Sequence, residues 1–441
     1  MTEKGSLWVK RETIIKEATV AKEKINAKIV ILGLQHTFVM FGATVLVPIL
    51  TGLDIAVALF AAGIGTLIFH VVTKFKVPVF LGSSFAFIPG IIAVTASEGS
   101  IAYALGGILV AGFLYIIVAF IFRFVSYDTI HNILPPHVTG PMIIMIGLIL
   151  APVAISNANG TNSPQILAAM GPNGAWLIAM FTFALGIFVK IYFEKFGWKF
   201  ASNLPVLLSL VGGYLFAIVL GVVDFTLIKE AAWIGLPKFM APKFSFTAIT
   251  IMVPIAIVTM VEHFGDVLAI GNVVEKDFIK DPGIHRTLIG DGIATSISAL
   301  IGGPANTTYS ENTGAVALTG ATNPVIMRIA ALFAIVLSLI PKFTALIATI
   351  PGPVIGGISI LLFGMISSIG IKNMVDAKVN LGNPKLLIIS ASMLVLGLGG
   401  ASFTIGKVQL SGLGLAAIFG VVLNLILRPH DIVKTEKKKG K

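Results

Sequence analysis

The stretch Gly302–Gly320 reads Gly-Gly-Pro-Ala-Asn-Thr-Thr-Tyr-Ser-Glu-Asn-Thr-Gly-Ala-Val-Ala-Leu-Thr-Gly and lies between two apolar segments, Leu288–Ile301 and Pro324–Ile340. Such flanks set it at membrane depth, yet it does not read as a spanning helix. Gly302, Gly303 and Pro304 break a helix. Thr307-Thr308-Tyr309 favours extended backbone. Ser310 or Glu311 is placed to cap a short helix running to Thr319. The expectation is a broken element with a carboxylate at the start of a half-helix. Within a bilayer, irregular backbone persists only where protein or a water-filled cavity covers it. An ionisable residue at that depth marks a functional site.

The rest of the chain supports membrane depth. Its 441 residues are 56% hydrophobic and only 12% charged, with a mean hydropathy of +0.98, which excludes soluble globular and disordered classes. Cysteine is absent, so disulfides and thiolate metal sites are excluded. A cleavable signal peptide is not expected, because the first 28 residues mix Lys and Glu and the first apolar run is long enough to span. Segments able to cross fall at 29–50, 54–73, 78–97, 101–122, 137–155, 174–193, 204–223, 246–270, 288–302, 304–320, 323–340, 347–368, 385–400 and 409–427. The prediction is an all-α membrane protein of about 14 spans. Hydropathy alone does not define 78–97, 304–320 and 385–400, which are short or interrupted.

With both termini in the cytoplasm, 26 of the 31 Lys and Arg residues fall on the cytoplasmic side. Lys229, Lys238, Lys243, Lys342 and Lys407 fall outside. Positive-inside asymmetry of this kind accounts for the net charge of +11 without a nucleic-acid partner and calls for an even number of spans. The arm Leu7–Lys28 carries helical periodicity, which suits an interfacial helix or a loosely ordered tail. The tail Lys434–Lys441 reads as a solvated basic end beside anionic lipid.

A second broken element, Pro78-Val-Phe-Leu-Gly-Ser-Ser-Phe-Ala-Phe-Ile-Pro89, occupies the third span. Gly302–Gly320 occupies the tenth, seven spans later. An odd offset makes the second half enter from the opposite side, as two inverted repeats of seven spans require. The alternative is a pair of unrelated re-entrant kinks.

Few ionisable residues lie within the spans: Glu262, Asp266, Asp291 and Glu311, with His36, His263 and His70. Each costs a few kcal/mol at the bilayer centre unless paired or solvated. Glu262 and Asp266, four residues apart, share one helical face, and His263 points about a third of a turn away. That face lines either a binding site or a wet cavity without a ligand. The spacing matches no metal-binding pattern, so no metal and no cofactor other than a coupling proton is expected. Like charges held close and out of water keep at least one of Glu262, Asp266 and Glu311 protonated in some states, which is the basis of proton symport. Glu311 with the half-helix N-terminus suits a small planar ligand bearing N–H and C=O groups. Asn312 is expected to tie the broken backbone to a neighbour. His36 is either a core histidine or a support for a carboxylate. Asp291, near the start of the ninth span, is a helix cap or part of a proton network. His70 is expected at the interface.

Four segments carry a family resemblance. They are Leu34-Gln-His-Thr-Phe-Val-Met-Phe-Gly-Ala-Thr-Val-Leu-Val-Pro48, Leu81-Gly-Ser-Ser-Phe-Ala-Phe-Ile88, Glu262-His263 and Asn306-Thr-Thr-Tyr-Ser-Glu-Asn-Thr-Gly314. Together they resemble the nucleobase–ascorbate transporter family, nearest its uracil permease branch, in order from about residue 30 to 427. Glu311-Asn-x-Gly-x-x-x-x-Thr-Gly320 looks like the family signature. The resemblance implies core spans at 29–122 and 246–340, gate spans at 137–224 and 347–427, a cytoplasmic arm at 1–28 and a tail at 428–441. It further implies short paired strands in spans 3 and 10, and a homodimer through the gate. Glu262 and Glu311 match the two glutamates that hold the base, Phe85 and Ser310 match positions whose backbone N–H groups contact it, and His36 matches a supporting histidine. Asp266 and Asp291 remain as proton-coupling or supporting residues.

Two positions depart from the uracil pattern: Asp266 where a histidine is typical, and Ser310 where a glycine is usual. Purine-transporting relatives often carry an acid at the first. Glu311 favours uracil, since purine and ascorbate branches usually have glutamine there. An ionised glutamate offers only acceptors, glutamine both roles. The expected function is therefore proton-coupled uracil import across the cell membrane. The rivals are xanthine or another purine on the same fold, an anion, or a membrane-embedded enzyme. The last lacks a nucleophile–base pair or metal cage.

Overall fold

The computed structural model describes residues 26–124, 129, 132–405 and 408–427. The tail Lys434–Lys441 and nearly all of the arm Leu7–Lys28 lie outside the described residues.

Asn26 starts the first helix, α1 (Ala27–Thr51), its side chain accepting the Ile29 N–H at 2.9 Å; Gly52, in the left-handed region at φ 82°, ends it. Only a residue tolerant of positive φ stops a helix and turns the chain so tightly. Asp54 then caps α2 (Ile55–Val72) through the Val57 N–H. The third span is broken: strand β1 (Leu81–Ser83), a single 3-10 turn (Phe85–Phe87) and α3 (Ile88–Glu98). The first seven spans continue with α4 (Ile101–Phe122), α5 (Pro136–Ile149) running into α6 (Ala151–Ala158), α7 (Pro164–Lys195, broken at Gly171) and α8 (Pro205–Val219).

A short helix α9 (Thr226–Glu230) precedes the second set: α10 (Phe246–Val274) and α11 (Ile284–Leu300), then β2 (Asn306–Thr308) with α12 (Ser310–Thr319). Next come α13 (Pro324–Ser338) and α14 (Pro341–Ala348), bent by 83°. The last are α15 (Gly352–Asp376), α16 (Pro384–Leu398) and α17 (Gly412–Leu427). Each of the fourteen segments read from hydropathy thus coincides with a helix, a helix pair or a strand–helix unit. Among the described residues, seven helices are long and apolar enough to cross a bilayer unaided, and four more apolar helices are shorter. Hydropathy did not reveal the hairpin β3–β4 (Ser402–Ile405 with Val408–Ser411) between α16 and α17.

One boundary needs correction. The ninth span begins at Ile284, four residues before the hydropathy run. Asp291 therefore sits two turns inside α11, fully buried, and is not a helix cap.

The helices pack mainly in two groups, which meet where α10 lies against α17. In one, α11 lies against α4 and α2, α13 against α2 and α1, and α10 against α4. In the other, α15 lies against α5, α6 and α7, α8 against α7, and α16 against α17 and α5. Close approach in the first group depends on small residues: a Cβ on Gly112 of α4 would stand 2.7 Å from the Gly292 carbonyl, and one on Gly292 2.8 Å from the Gly112 carbonyl.

Contacts among the connections test the threading. Lys76 bonds Asp281 at 2.6 Å, Arg286 donates to the Val72 carbonyl, and Arg328 lies over Phe75. At the other face, Lys243 N–H bonds Ala102, Met240 N–H bonds Ile301, and Lys342 reaches the Ile228 carbonyl. Each contact joins connections that the threading assigns to the same side.

At mid-depth β1 and β2 pair antiparallel, Leu81 with Thr308, Gly82 with Thr307, and Ser83 with Asn306. A Cβ on Gly82 would stand 2.3 Å from the Tyr309 ring. Gly82→Val is expected to destabilise the protein by about 1–3 kcal/mol, the usual cost of overpacking, with Tyr309→Ala added to the same chain restoring part of it. Thermal unfolding in detergent checks this; an unchanged midpoint in Gly82→Val refutes the packing.

Candidate functional site

The two strands are the floor of the site, and each is tied to a helix in the same way. Thr66 of α2 accepts from the Leu81 N–H at 2.9 Å and donates to the Leu81 carbonyl at 3.3 Å. Thr295 of α11 accepts from the Asn306 N–H at 3.2 Å and donates to the Asn306 carbonyl at 3.1 Å. Leu81 and Asn306 are the first residues of their strands. The helices concerned are the second and ninth spans, again seven apart. The ladder extends outward through Tyr309 N–H to Phe80 and Ser84 N–H to Ala305. In a medium without water every such backbone group needs a protein partner, and the two threonines supply those the ladder leaves unmet.

Beyond each strand the chain turns into a helix. Phe85 opens the 3-10 turn after β1, its ring edge-on to Phe363 of α15 at 6.1 Å. Ser310 opens α12, with Tyr309 as its N-cap. First-turn residues have N–H groups without intrahelical acceptors, and Phe85 and Ser310 hold such positions just beyond the two strands. Tyr309 itself is buried, its hydroxyl donating to the Ser83 carbonyl at 3.0 Å and accepting from Thr44 at 3.3 Å. Neither expected capping side chain caps the helix. The Ser310 hydroxyl turns to Asp266, and Glu311 lies exposed in the first turn.

The face of α10 carrying Glu262 and Asp266 lies over β2 and the start of α12. Asp266 is buried, and both its oxygens accept hydroxyl bonds, Oδ1 from Ser310 at 2.5 Å and Oδ2 from Thr308 at 2.8 Å. The two positions that depart from the uracil pattern are thus bonded to each other. Glu262 is half-buried and within electrostatic reach of Asp266, Glu311 and Asp291. Gly265 and Gly314 flank the carboxylates, and a Cβ on either would meet nothing within 4 Å. Ser310, Glu311 and Gly314 form an exposed stripe at the start of α12, where a carboxylate opening on lipid would be costly.

His263, about a third of a turn round α10 from Glu262, is fully buried. Its Nδ1 stands 3.2 Å from Asp291 Oδ2 and 3.5 Å from Thr308 Oγ1. His36 is buried and bonded through Nδ1 to the Asn312 side chain at 3.2 Å, and the same amide donates to the His36 carbonyl at 3.2 Å. Asn312 therefore ties α12 to α1. His36 supports the residue after Glu311 rather than a carboxylate. His70, in the last turn of α2, is fully buried within the protein, its Nε2 3.0 Å from the Val79 carbonyl, because the irregular stretch before β1 leaves that carbonyl without a ladder partner. Among the described residues no group of three or more His, Cys, Asp or Glu is placed to hold a metal ion.

Sequence reading missed Thr66, Thr295, Thr308 and Tyr309. The seven-span offset was the available signal for the first two, since it equates Thr66 in the second span with Thr295 in the ninth. Thr66→Val and Thr295→Val, each orphaning a buried backbone pair, are expected to cost about 1–3 kcal/mol. The check is whether two sites in different halves of the sequence lower the unfolding midpoint alike.

Fourteen segments, two broken at mid-depth around paired strands and clustered carboxylates, define a multi-pass membrane transport protein. The comparisons narrow this further. Residues 27–405 match the model of the Permease family, and the chain belongs to that family. It is 43% identical to the uracil permease of Bacillus caldolyticus over 404 residues, 90% of this chain and 91% of that one. To the uracil permease of Escherichia coli (strain K12) it is 37% identical over 411 residues, covering 91% and 93%. Among solved structures, the fold is shared with SLC26A9 at TM-score 0.67 and 12% identity, covering 97% of this chain and 69% of that one. It is also shared with the transmembrane domain of the cyanobacterial bicarbonate transporter BicA at TM-score 0.60 and 16% identity, covering 92% and 98%. Permease membership sets the chain apart from membrane-embedded enzymes.

Proposed function

We propose that the protein imports uracil with protons across the cell membrane, both termini in the cytoplasm. The observation that carries the reading is the placing of two carboxylate acceptors, Glu262 (half-buried) and Glu311 (exposed), beside helix starts at Phe85 and Ser310 whose first-turn N–H groups have no intrahelical acceptor. Carboxylates accept from ring N–H groups, and backbone amides donate to ring carbonyls. An edge of alternating C=O and N–H, as in uracil, complements both. Relatives named uracil permease at 37–43% identity favour this cargo over an anion, which two carboxylates would repel.

Residues 29–122 and 246–340 act as the moving core, and 137–224 with 347–427 as the gate; the two packing groups support this division. Movement of core against gate exposes the site to each side in turn. Proton binding within the group Glu262, Asp266 and Glu311, with His36 and Asp291 in support, couples the gradient to uptake. The assembly proposed is a homodimer through the gate, as the family resemblance implies. Xanthine is the second reading, favoured by Asp266 and by its similar hydrogen-bonding edge.

Radiolabelled uracil uptake into proteoliposomes tests this, with and without an inward proton gradient and with unlabelled xanthine as competitor. Gradient-driven uptake that xanthine leaves intact is expected; strong competition moves the cargo to the purine side. Glu262→Gln and Glu311→Gln each weaken one charge-assisted bond, so apparent affinity is expected to fall about 10- to 100-fold. Undiminished uptake in Glu311→Gln refutes the site.

A further inference from the structure

Four carboxylates crowd the site, but they are not equivalent. Both oxygens of Asp266 are already occupied by hydroxyl donors from two successive elements: Thr308, the last residue of β2, and Ser310, the first of α12. Between them Tyr309 is clamped by Ser83 and Thr44. The strand end and the helix start are thus held to α10 by one carboxylate that bridges the turn between them.

We propose that Ser310 is a positioning residue, its hydroxyl joining Thr308 in holding the Asp266 carboxylate as a strut between α10 and the broken tenth span. The strut has two consequences. It fixes the Ser310 N–H at the free N-terminus of α12 while its side chain stays turned toward α10. It also commits each Asp266 oxygen to a hydroxyl donor, so that Asp266 serves as a structural acceptor and Glu262 and Glu311 receive the ligand. A substituent smaller than serine leaves Oδ1 unmet and frees the half-helix start to shift. Threonine retains the hydroxyl and the strut.

The second consequence rests on the nucleobase reading; the first does not. The test therefore has two arms. In the first, the purified full chain is unfolded thermally in detergent as wild type, Ser310→Ala, Asp266→Ala and the double variant, with Asp266→Asn replacing Asp266→Ala if the latter does not fold. The double variant is expected to be no less stable than the worse single one, because both remove the same bond. Independent, additive losses overturn the strut whatever the cargo is. In the second arm, uracil uptake is measured for Ser310→Ala and Ser310→Thr. Ser310→Ala is expected to raise KM about fivefold to tenfold with little change in maximal rate, as loss of an aimed donor does, and Ser310→Thr to return KM to near wild type. A wild-type KM in Ser310→Ala overturns the positioning role. If wild-type protein takes up no uracil while the stability effects are non-additive, the uracil reading fails and the strut stands.

Discussion

The hydrogen-bonded ladder between β1 and β2 is the constraint on which the rest depends. Two three-residue strands have six residues of backbone to satisfy at mid-depth, where water is absent and each unmet group costs several kcal/mol. An isolated pair of this length is not stable by itself. It persists because Thr66 and Thr295 complete its outer bonds and Tyr309 packs across Gly82. Once the ladder is fixed, the helices that follow it must begin near the middle of the protein, and their free N–H groups must face one region. The site is a consequence of where two spans are forced to break.

The same constraint accounts for the symmetry. Strands that reach the midplane from opposite sides pair antiparallel, which is the register observed. The supports repeat with the offset of seven spans: Thr66 and Thr295 hold the strand starts, while α1 through Thr44 and α10 through Asp266 meet the strand ends at Ser83 and Thr308. The halves differ in chemistry at that last position. The first uses a backbone carbonyl, Thr44 O, accepting from Ser83; the second uses a carboxylate. The charge is confined to one half of a nearly repeated frame.

Much of this was legible in the sequence because its causes are local. Gly302-Gly-Pro304 breaks a helix wherever it falls, and a carboxylate pair four residues apart faces one way on any helix. The ninth span was misjudged because His285, Arg286 and Thr287 lower hydropathy at its start, although they are helical. The burial of His70 has a tertiary cause that the sequence does not show: its partner is the carbonyl of Val79, in the irregular stretch that leads into β1, which pairs with a strand more than two hundred residues away. Hydropathy reports neither the partner of a strand nor the partner of a buried hydroxyl, so it does not single out the threonines.

The carboxylates illustrate why composition alone does not assign roles. Asp291 faces His263, and Asp266 faces two hydroxyls, so each has protein partners that offset part of its desolvation. Glu262, half-buried, and Glu311, exposed, are the two that the proposed reading turns to the cargo, with water as their donor otherwise. A cargo that displaces this water has to bring donors of its own, and it gains most if it also presents acceptors to the amides at the strand ends. An anion meets two carboxylates and pays for both. On the proposed reading, a neutral planar base with donors and acceptors in alternation would replace that water bond for bond, so that the shared fold would serve here for a different class of solute from an anion.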